Sequence, residues 1–259
     1  MPLKDASSSA FYWDSVAKRS RPYHIEKNVA IYKKSEHIRM IKKWAGSLKG
    51  KAVLKTDLYE EAFGNDSFFS WLKGQGAYVY GVDISKNIVS RANSDPGLNV
   101  VSDLRDCGFR SASFDVIISN STLDNLKESD VPAALNELRR MLKDGGVLLL
   151  TLDNAQNPLY VLGYKIEKIL KTNNYYQARC YSLDEALSLA KKSRFSVEDV
   201  DAIVHLPTPF NKVALCLSRA NVVLLNRASR ALIMVFSKLA KRRARSSTGW
   251  FIALKCRAS

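Results

Sequence analysis

The chain has 259 residues and is 46% hydrophobic, room for one sizeable α/β core with added segments and too little for two full domains. Its four cysteines, Cys107, Cys180, Cys216 and Cys256, stand far apart with no CxxC pair, which argues against a zinc site or a disulfide framework and for a reduced, cytoplasmic compartment. The net charge of +15 is local: from Ala202 to Ser259 there are eleven Lys and Arg and no Asp or Glu, which leaves the rest of the chain at 29 basic against 25 acidic residues.

The opening "MPLKDASSSAFYWDS" has no apolar run of the signal-peptide type, and no stretch of about 18 uncharged apolar residues occurs anywhere, so neither export nor a membrane span is expected. Residues 1–50 read as a helical cap. In "NVAIYKKSEHIRMIKKWAGSL" the residues Val29, Tyr32, Ile38, Ile41 and Trp44 fall on one face, and Gly46 and Gly50 stop the helix.

From Lys51 the pattern changes to short β-rich runs: "KAVLKTDL", "AYVYGVDI", "LNVVSDL", "FDVIISNST" and "GGVLLLTLDN". Their near-continuous apolar character suits strands covered on both faces. The stretches between them, such as "DSFFSWLKGQG" and "SKNIVSRANSD", suit crossover helices. In "DVPAALNELRRMLKDGG" a cap at Ser129 or Asp130, Pro132 in the first turn and the terminal glycines delimit one such helix. After Asn154 the pattern loosens, a capped helix follows at "SLDEALSLAKKSRF", and "SVEDVDAIVHLP" and "TGWFIALKC" supply the sixth and seventh strands. The expected fold class is α/β, a doubly wound, seven-stranded, mostly parallel sheet, formed by residues 51–259.

In such a sheet ligands bind outside the carboxyl ends of the strands, near the point where strand order reverses. Acidic residues recur there: Asp57 ends the first run, Asp83 the second, Asp103 the third, and Asp124 follows the fourth. Asp83, at the end of "VYGVDIS", stands about 25 residues after the first strand, where a carboxylate accepts hydrogen bonds from both hydroxyls of a ribose. The plainer reading is that Asp83 caps the helix beginning near Lys86.

"VYGVDIS", "NVVSDLRDCGFRSASFDVIISNSTLDNL" and "ALNELRRMLKDGGVLLLTLDN" together resemble the successive motifs of class I S-adenosylmethionine-dependent methyltransferases, over about Lys51 to Asn154. The resemblance implies a Rossmann-like fold and S-adenosylmethionine as cofactor. It implies that Asp83 holds the ribose, that Ile84 packs on the adenine, and that Asp103 with Leu104 receives the adenine amino group. It implies further that Asn120, Ser121 and Thr122 line the cleft beside the transferred methyl, and that Asp124 and Asn125 stand where a base or orienting group is found, against the reading of Ser121, Thr122 or Asp124 as makers of a capped turn. The first loop departs from the family pattern, because "KTDLYEEAFG" offers carboxylates and the single glycine Gly64 where a glycine-rich turn is usual. A sulfonium and an ammonium suit carboxylates, so Asp57, Glu60 and Glu61 are candidates for the amino group, against the reading of Glu60 and Glu61 as an exposed first helical turn. His205, after the sixth strand, is a further catalytic candidate, and Tyr175, Tyr176 and Tyr181 are candidates for an acceptor pocket or for core packing. No residue set suggests a metal. The NPPY or DPPY tetrapeptide and the Pro-Cys dipeptide of nucleic-acid base methylation are absent.

Segments 155–180 and 211–245 are expected as acceptor-side or membrane-facing insertions. Projected at about 100° per residue, Arg219, Arg227, Arg230, Lys238, Lys241, Arg242 and Arg245 gather on one side of the second segment. Leu225, Leu232, Val235, Phe236 and Leu239 gather opposite, with Val223 and Met234 as exceptions. This basic amphipathic helix reads as a lid over the cleft, as a contact for an anionic membrane, as a binder of phosphates in nucleic acid or a lipid-linked acceptor, or as a helix showing its charges to water. The expected function is methyl transfer to a small or lipid-linked acceptor at oxygen, in the cytoplasm or peripherally at the inner membrane surface. An RNA methyltransferase and a non-catalytic binding module that keeps the fold are the alternatives, nucleic acid being the less favoured partner for want of an RNA-binding module.

Overall fold

In the computed structural model the described residues are 6–19, 26–64, 66–92, 98–170, 179–207, 223–241 and 247–258. Two helices, α1 (Ala6–Arg19) and α2 (Lys27–Ala45), precede a seven-stranded sheet. Its strands are β1 (Ala52–Thr56), β2 (Tyr78–Asp83), β3 (Asn99–Val101), β4 (Phe114–Asn120), β5 (Leu142–Asp153), β6 (Phe195–Ile203) and β7 (Phe251–Ala258), in the spatial order β3-β2-β1-β4-β5-β7-β6. The first five pair in parallel, and β7 runs antiparallel to both β5 and β6. All seven expected strands form. The order reverses between β1 and β4, so their carboxyl ends flank the crevice that the doubly wound rule designates.

Alternation along the strands explains the two-sided core. Val53, Val116, Ile118, Val147 and Leu149 join one buried cluster with the helix α2, while Leu54, Ile117, Leu148, Leu150 and Leu152 face the opposite cluster. The second cluster is covered by α6 (Val131–Met141), which buries Val131, Ala134, Leu135, Leu138 and Met141 at helical spacing, and by α8 (Leu183–Lys192). A capping box between Ser182 and Glu185 starts α8 as the sequence indicates. The remaining helices are α3 (Tyr59–Phe63), α4 (Phe69–Gly74), α5 (Lys86–Ala92), α7 (Pro158–Leu170) and α9 (Val223–Lys241).

Two boundaries differ from expectation. Asp130 makes no capping bond to α6, because its carboxylate is taken by Arg105 at 2.6 Å. The helix also ends at Met141, before "KDGG": β5 begins at Leu142, and the glycines sit inside the strand, where pairing with β4 jumps from Leu142 to Val147 and Gly145 adopts φ 72°. In the second insertion, residues 223–241 are the helical part that is described. Arg219, Arg242 and Arg245 lie outside the described residues, as do His24, Tyr175, Tyr176 and Cys216, and the side chains of Val223, Leu225, Leu239 and Lys241 are likewise not described.

Candidate active site

A cleft of about 590 Å³, its open mouth included, lies at the carboxyl ends of β1, β2 and β4. Asp83 forms part of its wall. One carboxylate oxygen accepts the Leu58 N–H and the other the Ser85 N–H, both at 2.9 Å, so this one side chain ties the loops after β1 and β2 together. An ionised carboxylate has about four lone-pair positions, and two remain for a ligand. The cap of α5 is Ser85, whose hydroxyl oxygen accepts the Ile88 N–H at 3.1 Å, which removes the capping role from Asp83. Burial pushes the Asp83 carboxyl up to about 6, against the pull of its two N–H donors.

Asp57 follows β1 in the left-handed region, φ 62°, a conformation that Asp tolerates better than most residues because its side chain bonds locally. Its carboxylate accepts the Tyr59 N–H at 2.9 Å. Burial, with the nearby Asp83 charge, pushes the Asp57 carboxyl up to about 7. Ile84, Val82, Ile88, Leu104 and Leu126 give the cleft its apolar wall, and Thr56, Ser102, Thr122 and Asn125 add polar points. Asp103 lines the cleft with its carboxylate pinned by Arg105, which reaches both oxygens and also Asp130. Burial raises the Asp103 carboxyl, but the Arg105 hydrogen bonds outweigh it and hold the group below its ordinary value.

Other predicted residues stand elsewhere. Glu60 and Glu61 lie in α3, yet neither is an exposed first turn or a lining residue. Glu61 pairs with Lys55 at 2.7 Å, with side chains 2% and 3% exposed, and Glu60 pairs with Lys33 of α2 at 2.9 Å. Lys33 also holds Asp66 at 2.9 Å. Buried cations, invisible in the local sequence pattern, thus claim the two glutamates. Gly64 is required by packing rather than by a ligand, since a Cβ there would collide with the Glu60 and Asp66 carboxylates. Asn120 and Ser121 sit behind the wall: Ser121 has φ 45°, which turns the chain so that Thr122 alone of the three reaches the cleft. Asp124 is 1% exposed and turned toward β5, where it accepts the Asp153 N–H at 3.1 Å. Burial and the Asp153 charge push its carboxyl well above the ordinary range. It does not touch the cleft. His205 has both ring nitrogens engaged, with Thr248 at 2.8 Å and the Ala202 carbonyl at 2.7 Å, and it too lies outside the lining of this cleft. Tyr181 is core, 1% exposed.

Sequence reasoning missed what α1 contributes. Asp14 accepts from the Ser85 hydroxyl and the Asn87 N–H, fastening α1 to the start of α5, and this brings Ser9 and Trp13 to the cleft. Trp13 meets Tyr59 edge to face at 6.5 Å between centroids. The "FYWDS" cluster of aromatics beside an acid was the available signal.

Residues 60–150 match the family model described as a methyltransferase domain. No curated protein sequence matches the chain. Among solved structures, an S-adenosylmethionine-dependent methyltransferase from Mesorhizobium loti is 17% identical, with 85% of this chain and 96% of that one covered and a TM-score of 0.57. Geranyl diphosphate C-methyltransferase from Streptomyces coelicolor, solved with S-adenosyl-L-homocysteine, is 13% identical with both chains fully covered and a TM-score of 0.61. The [4+2]-cyclase SpnF is 13% identical, with 100% and 98% covered and a TM-score of 0.59. At these identities the likeness is one of fold, and that fold carries more than one chemistry.

Proposed function

We propose that the chain, whose residues 60–150 match a methyltransferase domain, is a class I S-adenosylmethionine-dependent methyltransferase that methylates a hydroxyl oxygen of a small or lipid-linked acceptor. The observation that carries the cofactor assignment is Asp83, buried at the end of β2, held rigid by two backbone donors and still offering two acceptor positions to the cleft. These match the two ribose hydroxyls. Ile84 and Leu104 would hold the adenine between apolar surfaces, and Asp103, its orientation set by Arg105, would receive the amino group. Asp57 would take the ammonium. S-adenosylmethionine, when bound, supplies an electrophilic methyl group. The acidic cleft favours such a cation, since opposite charge a few ångströms away in a partly buried site is weakly screened.

Thr122, Asn125 and Leu126, which line the cleft, would border the acceptor. With no general base touching the cleft from Asp124 or His205, the rate enhancement rests on holding acceptor and sulfonium in line, a contribution that reaches about 7–11 kcal/mol in well-oriented systems. The absence of the tetrapeptide and dipeptide motifs of base methylation weighs against a nucleic-acid base as acceptor. The lipid-linked option is favoured by the exposed apolar side chains of α7 and α9.

Titration calorimetry with S-adenosylmethionine tests the site. The wild type is expected to bind, and Asp83→Ala and Asp57→Asn are each expected to lose about tenfold or more in affinity, which is about 1.4 kcal/mol. A folded wild type with no binding would leave a non-catalytic module of the same fold. Labelled methyl recovered on nitrogen or carbon would overturn the oxygen assignment alone.

A further inference from the structure

The helix α7 has two hydrophobic faces. One is anchored, with Tyr160 9% exposed and packed on Trp250 and Phe251. The other is open: Leu159, Leu162, Ile166 and Ile169 are 50%, 55%, 44% and 79% exposed. At about 100° per residue these four fall within an arc of about 80°. The helix α9 repeats the arrangement. Ile233 is buried and Phe236 packs inward, while Leu232, Met234 and Val235 are 46%, 58% and 52% exposed. The exposed side of α9 also carries Arg227, Arg230 and Lys238, which surround Met234, while Val235 and Leu232 lie beyond them round the helix toward its buried side.

Both helices stand on the edge where the cleft opens. The helix α7 follows the carboxyl end of β5, and the register Asp153 to Phe251 puts the residues before β7 at that same edge. Arg230 of α9 donates to Asn28 of α2 at 2.9 Å, one turn from Tyr32, whose hydroxyl reaches His205 just beyond the carboxyl end of β6.

We propose that the open faces of α7 and α9 dock on an anionic lipid surface, placing the cleft against the bilayer. Charge selects this occupant. The segment from Ala202 onward is basic without a single acid, so a second copy would meet like charge there, whereas phospholipid headgroups supply a continuous anionic plane. Aliphatic side chains enter the interface to a depth of about 5–10 Å while Lys and Arg stems lie along it with their charged ends at the phosphates. Among the described residues no helix is long and apolar enough to cross a membrane, so the attachment is peripheral. The surface deepens the reading of the acceptor as lipid-linked and rests on that reading for its use, although its test does not need the acceptor.

The test is co-sedimentation of the full chain with phosphatidylcholine vesicles and with vesicles containing phosphatidylglycerol, together with calorimetric S-adenosylmethionine binding on the same samples. The wild type is expected on the anionic vesicles and far less on the neutral ones. Leu162→Glu with Ile166→Glu on α7, and separately Arg227→Glu with Lys238→Glu on α9, are each expected to weaken that binding by about tenfold or more, with unchanged thermal melting and unchanged cofactor affinity. Absence of the wild type from anionic vesicles overturns the proposal, as does binding that the α7 pair leaves intact. Loss of a dimer in the α7 variant without loss of vesicle binding reassigns the face to self-association. Vesicle binding in a protein that takes no cofactor would leave the docking surface standing and the cofactor reading fallen.

Discussion

Asp57 and Asp83 show how one residue type takes its properties from its surroundings. Burial holds their carboxyls up, to about 7 and about 6, against an ordinary value of 3.8. An acid whose folded value is raised binds more protons folded than unfolded. Its cost to stability is therefore absent below about pH 4, grows as pH rises, and is complete above about pH 7. A cationic ligand reverses the shift, because it stabilises both carboxylates. Binding of S-adenosylmethionine between about pH 6 and 7 is thus expected to release protons, seen as a dependence of the calorimetric heat on the ionisation enthalpy of the buffer; heats independent of buffer would contradict it. Asp57→Asn is the apt substitution, since Asn keeps the left-handed backbone and the bond from Tyr59 while removing the charge. Lys55 and Glu61 form a buried pair in which Lys55 also donates to the Asp57 carbonyl. Lys55→Met strands a buried carboxylate and is expected to destabilise the protein by about 3–5 kcal/mol in urea unfolding, while Lys55→Met combined with Glu61→Leu recovers most of it. Equal losses in the single and double variants would refute this account.

Among the elements, the short helix α3 and the cap helices decide what the first loop is. Lys33 of α2 fastens α3 through Glu60 and holds Asp66 beyond it, and Lys55 of β1 fastens it through Glu61. A loop that lacks the usual glycines is held open by ion pairs from beneath instead. The helix α1, latched to α5 by Asp14, then brings Trp13 over the cleft against Tyr59. Trp13→Ala removes an aromatic contact of about 0.5–1.5 kcal/mol, so S-adenosylmethionine affinity is expected to fall by up to about tenfold with the melting temperature nearly unchanged. An unchanged affinity would show that α1 serves the fold alone.

For the molecule as a whole, apolar and basic exposure come together on α9, where Arg227, Arg230 and Lys238 are exposed around Met234, while α7 adds an open apolar face beyond the carboxyl end of β5. The two contributions respond differently to salt. Raising ionic strength from 0.1 to 1 M shortens the screening length from about 10 to about 3 Å, so vesicle association is expected to weaken in its electrostatic part and to keep a remainder owed to the aliphatic face. Complete loss at high salt would leave those side chains without a part in docking.

The strands, their number, the helices between them and the place of the cleft were legible in the sequence, because apolar periodicity and the acid at each strand end are local properties that survive in one dimension. Asp57, Asp83, Ile84, Asp103 and Leu104 all line the cleft for that reason. The rest was decided by contacts between distant segments. Glu60 and Glu61 went to lysines 27 and 6 residues away, Asp124 turned to β5, His205 was satisfied by Thr248 and Ala202, and Trp13 arrived from a helix that the strand pattern does not include. Whether a charged side chain meets a ligand or another side chain depends on which cation packing delivers beneath it, and a buried charge takes the nearest partner that the tertiary structure provides.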